Sequence, residues 1–441
     1  MPDHAVSSDP RVQAQLDRLS MLSPGADVLG LERISTLMDR LGNPETRLPP
    51  VFHVAGTNGK GSVCAYLRAA MEAAGYKAHV FTSPHLVRFN ERIRVAGRLI
   101  EDDLLADLLA EVLDVGQDVG ASFFEVTTAV AFLAFTRTPA DVCVIEVGLG
   151  GRLDATNVLP APVACGIAQL GIDHQAFLGD RIEDIAAEKA GISKPGVPLM
   201  TLHYRALLAS RVGQAAALAG AKWLPQGGAW DASVSGQHLH YRDEQGRLDL
   251  PLPRLPGAHQ TINAGLAIAM LRHQSALAVP TSALRAAMGW ADWPARLQRL
   301  DGALAARLPA GSELWLDGLH NPAAARAIAE FFPTSSTGGR PFHLILGLLE
   351  NKDPVGVLKP FVGRADSVHT VVVPGHAHHT PAVLARLADK VGMAARPADS
   401  VSDALARIAQ EAKPGLPPIV LIGGSLYLAG QVLVEDGSIP D

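Results

Sequence analysis

Three absences narrow the possibilities before any motif is considered. The chain has only three cysteines in 441 residues, Cys64, Cys143 and Cys165, and all lie in apolar runs. They show neither metal-ligand spacing nor the even count of a disulfide framework, so they read as reduced core residues. No run of basic residues is longer than a few positions, and the formal net charge is −6. A nucleic acid or an anionic membrane is therefore not expected as the main partner. No apolar stretch approaches the roughly 18 residues of a membrane-spanning helix, and the polar start Met1-Pro-Asp-His lacks the apolar centre of a signal peptide. A cytoplasmic location is expected. Internal repeats and low-complexity tracts are also lacking, apart from alanine-rich helices.

What is present is a soluble globular composition, 48% apolar and 19% charged, with length for two or three domains. Helical periodicity appears at 11–22 and 29–41. Strand-like runs at 52–54, 78–81, 142–147, 163–168 and 198–202 then alternate with helix-like runs at 60–74, 101–115, 124–136 and 182–192. That alternation predicts a mostly parallel sheet with helices on both faces. Residues 227–252 alternate polar and apolar around Asp243-Glu-Gln-Gly246, which predicts an antiparallel hairpin. A second α/β series follows, with strands at 314–316, 343–346, 370–373 and 419–422 and helices at 322–332, 381–391, 402–411 and 425–434. The expected fold class is α/β in two domains, residues 1–297 and a smaller Rossmann-like unit at 298–441.

Three segments carry chemistry. In Val51-Phe-His-Val-Ala-Gly-Thr-Asn-Gly-Lys-Gly-Ser62 a buried strand runs into a glycine-rich turn with a lysine and a hydroxyl. Such a turn cradles phosphates with its backbone N–H groups, and the hydroxyl can join a Mg2+ shell. The spelling departs from the usual phosphate loop: Val54 fills the first glycine position, and Gly61 separates Lys60 from Ser62. In the second segment a strand delivers Glu146 to its C-terminal end, ahead of Gly-Leu-Gly-Gly-Arg152. A carboxylate at that edge is placed to hold a metal together with its phosphates. The third segment holds Asp173-His174 and then Glu188-Lys-Ala-Gly-Ile192. On spacing alone, His174 reads as a hydrogen-bonded turn residue and Lys189 as a solvated helix-face residue.

In order and spacing these segments resemble the folylpolyglutamate synthase family of the Mur ligase superfamily, nearest to the bacterial bifunctional enzymes with dihydrofolate synthase activity. The resemblance runs from about 29 to 434. It rests also on Thr82-Ser-Pro-His-Leu86, Glu91-Arg-Ile-Arg94, Leu153-Asp-Ala-Thr-Asn157, Leu255-Pro-Gly-Ala-His-Gln-Thr-Ile-Asn263, Trp293-Pro-Ala-Arg296, Asp317-Gly-Leu-His-Asn321 and Gly424-Ser-Leu-Tyr427. It implies that ATP lies over Gly56, Thr57, Asn58, Gly59, Lys60, Gly61 and Ser62. Asn263 would meet the adenine side and Arg296 a phosphate, with Asp317 and His320 reaching the nucleotide from the C-terminal domain. Mg2+ at two sites would be held by Ser83, Glu146, His174 and Lys189, the last as a carbamate. Lys60, Lys189, His174 and Arg296 would serve catalysis. For the pterin it suggests Asp27, Val28 and Leu29, then Ser122, Phe123, Phe124 and Glu125, with Leu153, Asp154 and Ala155 closing the pocket. Phe123 and Phe124 also read simply as core, Arg296 as a linker ion pair and Asp317 as the helix cap before Pro322.

Three places depart from the family pattern. Val28 replaces an aspartate beside Leu29. Leu319 replaces an alanine, and His376, His378 and His379 occupy a loop where relatives carry an arginine. That loop reads as solvated or substrate-facing rather than as a metal site. The implied activity is ATP-dependent amide ligation of L-glutamate to 7,8-dihydropteroate, or to the γ-carboxyl of a reduced folate, through an acyl phosphate. The enzyme is expected to be monomeric, with only small molecules as partners. Two alternatives stand beside it. A cell-wall Mur ligase would need an N-terminal nucleotide-sugar domain, for which about 50 residues before the loop leave no room. A P-loop switch NTPase would not need a second α/β domain.

Overall fold

A computed structural model describes residues 5–22, 29–332 and 339–440. Contacts divide the chain into two compact units. One is Met1–Arg254 with His259–Asp292, and the other is Leu255–Ala258 with Trp293–Asp441.

The first unit is built on eight strands: β1 (Val51–Ala55), β2 (Ala78–Phe81), β3 (Ile93–Val95), β4 (Arg98–Leu99), β5 (Val142–Glu146), β6 (Ala164–Ile167), β7 (Pro198–Thr201) and β8 (Lys222–Pro225). Their order is β4-β3-β2-β5-β1-β6-β7-β8, with β3 and β4 antiparallel at one edge and the others parallel. β1 and β5 are buried at every position. Such continuous burial is what a parallel strand covered on both faces demands, and it explains why these segments are apolar runs rather than alternations. On one face Val51, Cys143 and Ile145 pack with Leu16, Leu37, Leu109 and Phe132 from four helices: Pro10–Leu22, Glu32–Arg40, Asp102–Val115 and Phe123–Arg137. On the other face Gly166 of β6 lets Met270 of helix Ala258–Arg272 lie directly on the backbone; a Cβ there would meet the Met270 sulfur at 2.3 Å.

Residues 230–251 form a three-stranded antiparallel sheet: β9 (Trp230–Ser235), β10 (His238–Asp243) and β11 (Gly246–Pro251). This corrects the single expected hairpin. The second turn lies at Gly236, which takes φ 58°.

The second unit holds β12 (Gln298–Leu300), β13 (Glu313–Leu316), β14 (Phe342–Leu346), β15 (Ser367–Thr370), β16 (Ala395–Pro397) and β17 (Ile419–Gly423), in the order β12-β13-β17-β14-β15-β16. All pair in parallel except β12. The strand expected at 370–373 is displaced: residues 367–370 form the ladder. Val371 and Val373, although 1% and 0% exposed, belong to the segment that follows it. Among the described residues no helix is long and apolar enough to cross a membrane.

Candidate active site

β1 sits between β5 and β6, so the loops leaving all three strands meet at one carboxyl edge. Chain order and spatial order part here, which is where open α/β sheets bind ligands. The glycine-rich loop leaves β1 with Gly56 at φ 150° and Gly59 at φ 88°, and helix Lys60–Ala73 begins immediately after. Both glycines are required by close approach as well. A Cβ on Gly56 would meet Ala168 at 2.9 Å, and one on Gly59 would meet Asn263 Oδ1 at 2.5 Å. The segment after β6 braces the loop: Thr57 N donates to Gln169 O at 2.8 Å, and Thr57 Oγ1 donates to Gly171 O at 2.9 Å. Ser62 is 2% exposed and accepts from Gln260 Nε2 at 3.2 Å, while Gln260 Oε1 accepts from Asn263 Nδ2 at 3.2 Å. The phosphate-loop hydroxyl and Asn263 are thus joined through one buried amide. Gln260 lies within the Leu255–Asn263 segment, and nothing in its sequence position announces this bridge.

Glu146 ends β5 beside this loop. It is 4% exposed; Lys60 Nζ lies 3.7 Å from one carboxylate oxygen, and Ser83 N donates to the other at 3.3 Å. The Ser83 segment is shaped by Glu91, a second residue the sequence reading left without a role. Its carboxylate accepts from three successive backbone N–H groups, those of Leu86, Val87 and Arg88, at 2.8, 2.9 and 2.7 Å. No capping-box signature announces it, since Arg88 in the N-cap place has no side-chain acceptor.

Lys189 is not a solvated helix-face residue. It is 4% exposed, and Gly151 packs against the backbone of its helix, where a Cβ would sit 2.7 and 2.8 Å from the carbonyls of Glu188 and Lys189. Burial, and next the Lys60 charge, pull its ammonium down to about 7, against the opposing carboxylates of Asp173 and Asp154. His174 is exposed and takes a left-handed φ of 52°, and its backbone N–H is held by Asp173 Oδ1 at 2.8 Å. Among the described residues no three His, Cys, Asp or Glu side chains converge as a ready-made metal cluster. Of the expected ligands only Glu146 and His174 are of those types.

Of the expected pterin-side residues, Asp27 and Val28 lie outside the described residues, and Leu29 is half-buried. Ser122 caps helix Phe123–Arg137 in a reciprocal box with Glu125, which also pairs with Arg33 at 3.0 Å. Phe123 and Phe124 are half-buried and pack against the core. The Phe124 ring lies on Gly148, where a Cβ would come within 2.4 Å of it, and stacks 5.8 Å from Phe81; Phe123 meets Phe89 edge-on at 5.9 Å. Leu153 is half-buried, and Ala155 is buried in the same core. Asp154 caps the turn Ala155–Val158 and accepts from Leu149 N at 2.8 Å, so it holds the glycine-rich loop in shape.

In the second unit Arg296 stands between two non-glycine residues in the left-handed region, Ala295 at φ 54° and Leu297 at φ 44°. Each such residue costs on the order of 1–2 kcal/mol, and surrounding bonds must hold it. Two of those bonds come from one strand end: Asp317 Oδ2 accepts from Leu297 N at 2.8 Å, and Gly318 N donates to Ala295 O at 2.9 Å. Asp317 is 3% exposed; burial pushes its carboxyl up, opposed first by Arg296. It does not cap the following helix. Asn321 does, accepting from Ala324 N at 2.9 Å, which removes the capping reading of Asp317. His320 Nδ1 bonds Gly318 O at 2.9 Å. In the histidine loop, the His376 ring stacks on Tyr427 at 3.8 Å. His378 Nδ1 lies 2.7 Å from His376 O, and His379 Nε2 lies 3.1 Å from Lys352 O. Two of the three imidazoles are thus engaged with backbone carbonyls.

Known proteins are similar to this chain in sequence and fold. A family model described as the C-terminal domain of dihydrofolate synthetase matches residues 304–435. The dihydrofolate synthase/folylpolyglutamate synthase of Escherichia coli K12 is 37% identical over 331 residues, 75% of this chain and 74% of its own. The E. coli FolC structure in complex with DHPP and ADP superposes with a TM-score of 0.85 at 31% identity, covering 97% of each chain. The bifunctional enzyme of Yersinia pestis, complexed with AMPPNP and Mn, gives a TM-score of 0.85 at 29% identity over 97% of this chain and 98% of that one. The chain belongs to the dihydrofolate synthase/folylpolyglutamate synthase family of ATP-dependent ligases.

Proposed function

We propose that this ligase joins the amine of L-glutamate to a pterin-linked carboxylate, either the benzoate of 7,8-dihydropteroate or the terminal γ-carboxylate of a reduced folate. The observation that carries the reading is the cluster at the carboxyl edge of β1 and β5: Lys60 3.7 Å from buried Glu146, with Ser83 on its other oxygen and Lys189 buried alongside. Phosphates of ATP would lie against the N–H groups of Gly56–Ser62. The acceptor carboxylate attacks the γ-phosphorus, ADP leaves, and the acyl phosphate is then taken by the glutamate amine with loss of phosphate. Lys60 balances charge that spreads over the transferring group, and Arg296, fixed in its strained turn, is suited to the same task. Asn263, Asp317 and His320 would complete the nucleotide contacts. No covalent enzyme intermediate is required.

The donor set fits a hard divalent cation, since carboxylate and hydroxyl oxygens dominate and phosphate oxygens would fill the remaining positions. Ser83, Glu146 and His174 would hold one ion and a Lys189 carbamate a second; bound there, Mg2+ would neutralise phosphate charge. Carbamylation needs a free amine, and burial favours that form of Lys189. The pterin ring would stack on Phe124 or Phe123 beside Leu29, with Leu153, Asp154 and Ala155 closing its edge.

Single turnover with ATP, L-glutamate and each acceptor separately, followed by product mass, tests the proposal. One added glutamate on at least one acceptor is expected, with ADP formation that depends on glutamate. ADP release indifferent to glutamate would return the protein to the switch-NTPase class. Full activity in Lys60→Ala would overturn the phosphate site.

A further inference from the structure

Asp154 is the end of a buried chain of hydrogen bonds that begins inside β1. His53 Nε2 lies 2.8 Å from Thr156 Oγ1, and Thr156 Oγ1 lies 2.5 Å from Asp154 Oδ1. The same carboxylate oxygen accepts from Thr156 N at 3.0 Å, and the other accepts from Leu149 N. His53 and Thr156 are 0% exposed and Asp154 is 3% exposed. Such a network is structurally committed, because every polar atom in it has been taken from water.

Proton counting fixes its direction. A threonine hydroxyl has one proton to give. Burial pushes the Asp154 carboxyl up, while its bonds from Leu149 N, the Thr156 hydroxyl and Thr156 N pull the other way, toward the acceptor-only form. Thr156 therefore donates to Asp154 and must accept from His53, so the imidazole carries its proton on Nε2. Among the described residues His53 Nδ1 has no hydrogen-bond partner, and in this tautomer it presents only a lone pair. The reverse arrangement would strand an N–H in the core, a costlier defect than an unused acceptor. Burial, and next the Lys194 charge, keep the ring neutral by lowering its pKa to about 3.

From this we infer that His53 is a positioning residue for the ligation: its Nε2–H fixes the Thr156 hydroxyl, which holds the Asp154 carboxylate in one rotamer, with the one lone pair left on Oδ2 kept for an N–H of the pterin. The inference rests on the reading of Asp154 as a pterin contact. His53 stands three residues before the phosphate loop, yet its hydrogen bond leads to the acceptor side of the site.

Steady-state kinetics with 7,8-dihydropteroate tests it. His53→Leu should raise KM for the acceptor about five- to tenfold, the effect of losing one orienting hydrogen bond, while KM for ATP and for glutamate stays within about twofold. His53→Gln returns an N–H to nearly the same place and should recover most of the loss. Thr156→Val keeps the side-chain shape and should match His53→Leu, so the test survives if the leucine variant fails to fold. Three results overturn the inference: an unchanged acceptor KM in folded His53→Leu or Thr156→Val; an equal rise in the KM for ATP, which would mean only a distorted strand; or no recovery in folded His53→Gln. Asp154→Asn separates the two levels. If it leaves the acceptor KM unchanged, the pterin assignment falls and the inference with it. If it raises that KM while His53→Leu does not, the relay alone fails.

Discussion

Lys189 shows how far a single residue departs from what its neighbours in sequence announce. The spacing Ile182-Glu-Asp-Ile-Ala-Ala-Glu-Lys-Ala190 is equally compatible with a lysine facing water. Its helix is packed under Gly151, brought from almost forty residues upstream, and its ammonium feels Lys60, Asp173 and Asp154 from other segments. Its proposed role was available only through the resemblance, and its burial only through the fold. Asp317 is the opposite case: the bland reading as a cap was reasonable, but Asn321 fills that place and leaves the aspartate to the Arg296 turn. Two outcomes are expected at this scale. Lys189→Arg keeps a cation that cannot form a carbamate and should lower kcat at least about 100-fold, and native mass spectrometry of the parent should show one bound CO2 that the variant lacks. Glu91→Gln leaves one acceptor oxygen for three backbone N–H groups. It should cost about 1.5–3 kcal/mol by urea denaturation and raise the Mg2+ concentration needed for half-maximal activity, since Ser83 belongs to the same segment.

At the scale of elements, helix Ala258–Arg272 matters most, because it carries Gln260 and Asn263 at one end and Arg272 at the other. Arg272 makes a bidentate ion pair with Asp243 at 2.6 and 2.7 Å, and the Asp243 side chain is 0% exposed. The three-stranded sheet is therefore an anchor for the helix, and not an ornament on the surface. Asp243→Ala leaves a partly buried guanidinium without its carboxylate and should cost about 3–5 kcal/mol; calorimetry would show the loss of stability, with a weaker ATP affinity beside it. Most parallel strands were legible within a residue or two because continuous apolar burial is hard to mimic. β15 was not: Ser367, His369 and Thr370 are polar yet 9% exposed or less, and each makes a side-chain bond, Ser367 Oγ to His343 Nδ1 at 2.8 Å and to His369 Nε2 at 3.1 Å, and Thr370 Oγ1 to Pro381 O at 2.7 Å. The apolar signal therefore slid onto Val371–Val373. The edge strand β4, with two residues, and the antiparallel strands β3 and β12, with three each, were too short to register as periods.

For the whole molecule, acid sensitivity is built into both units. His53 in the first and His369 in the second are held neutral by burial, to about 3 and about 4. Their unfolded counterparts take a proton below about 6.5. The stability they contribute is full above that pH and is lost as pH falls toward the folded values, by up to about 1.4 kcal/mol per pH unit for each histidine. Urea midpoints at pH 7.5 and 5.5 should differ accordingly, and His369→Gln should flatten the dependence of the second unit. ATP held at about 100 times its Kd should stabilise the first unit by about 2.7 kcal/mol, readable as a shifted melting transition. The overall α/β plan was legible because its alternation of strand and helix repeats over many residues. The joining of distant positions, such as Gly59 with Asn263, was not, since no local period encodes it. The central place of β1 also sets a timetable for synthesis. Its partners β5 and β6 are completed only at Glu146 and Ile167, and Asn263 comes almost a hundred residues later. A ribosome that has already delivered the phosphate loop still has most of the unit to make before that loop has walls. Nucleotide binding by a growing chain would therefore mark completion of the first unit and not its start.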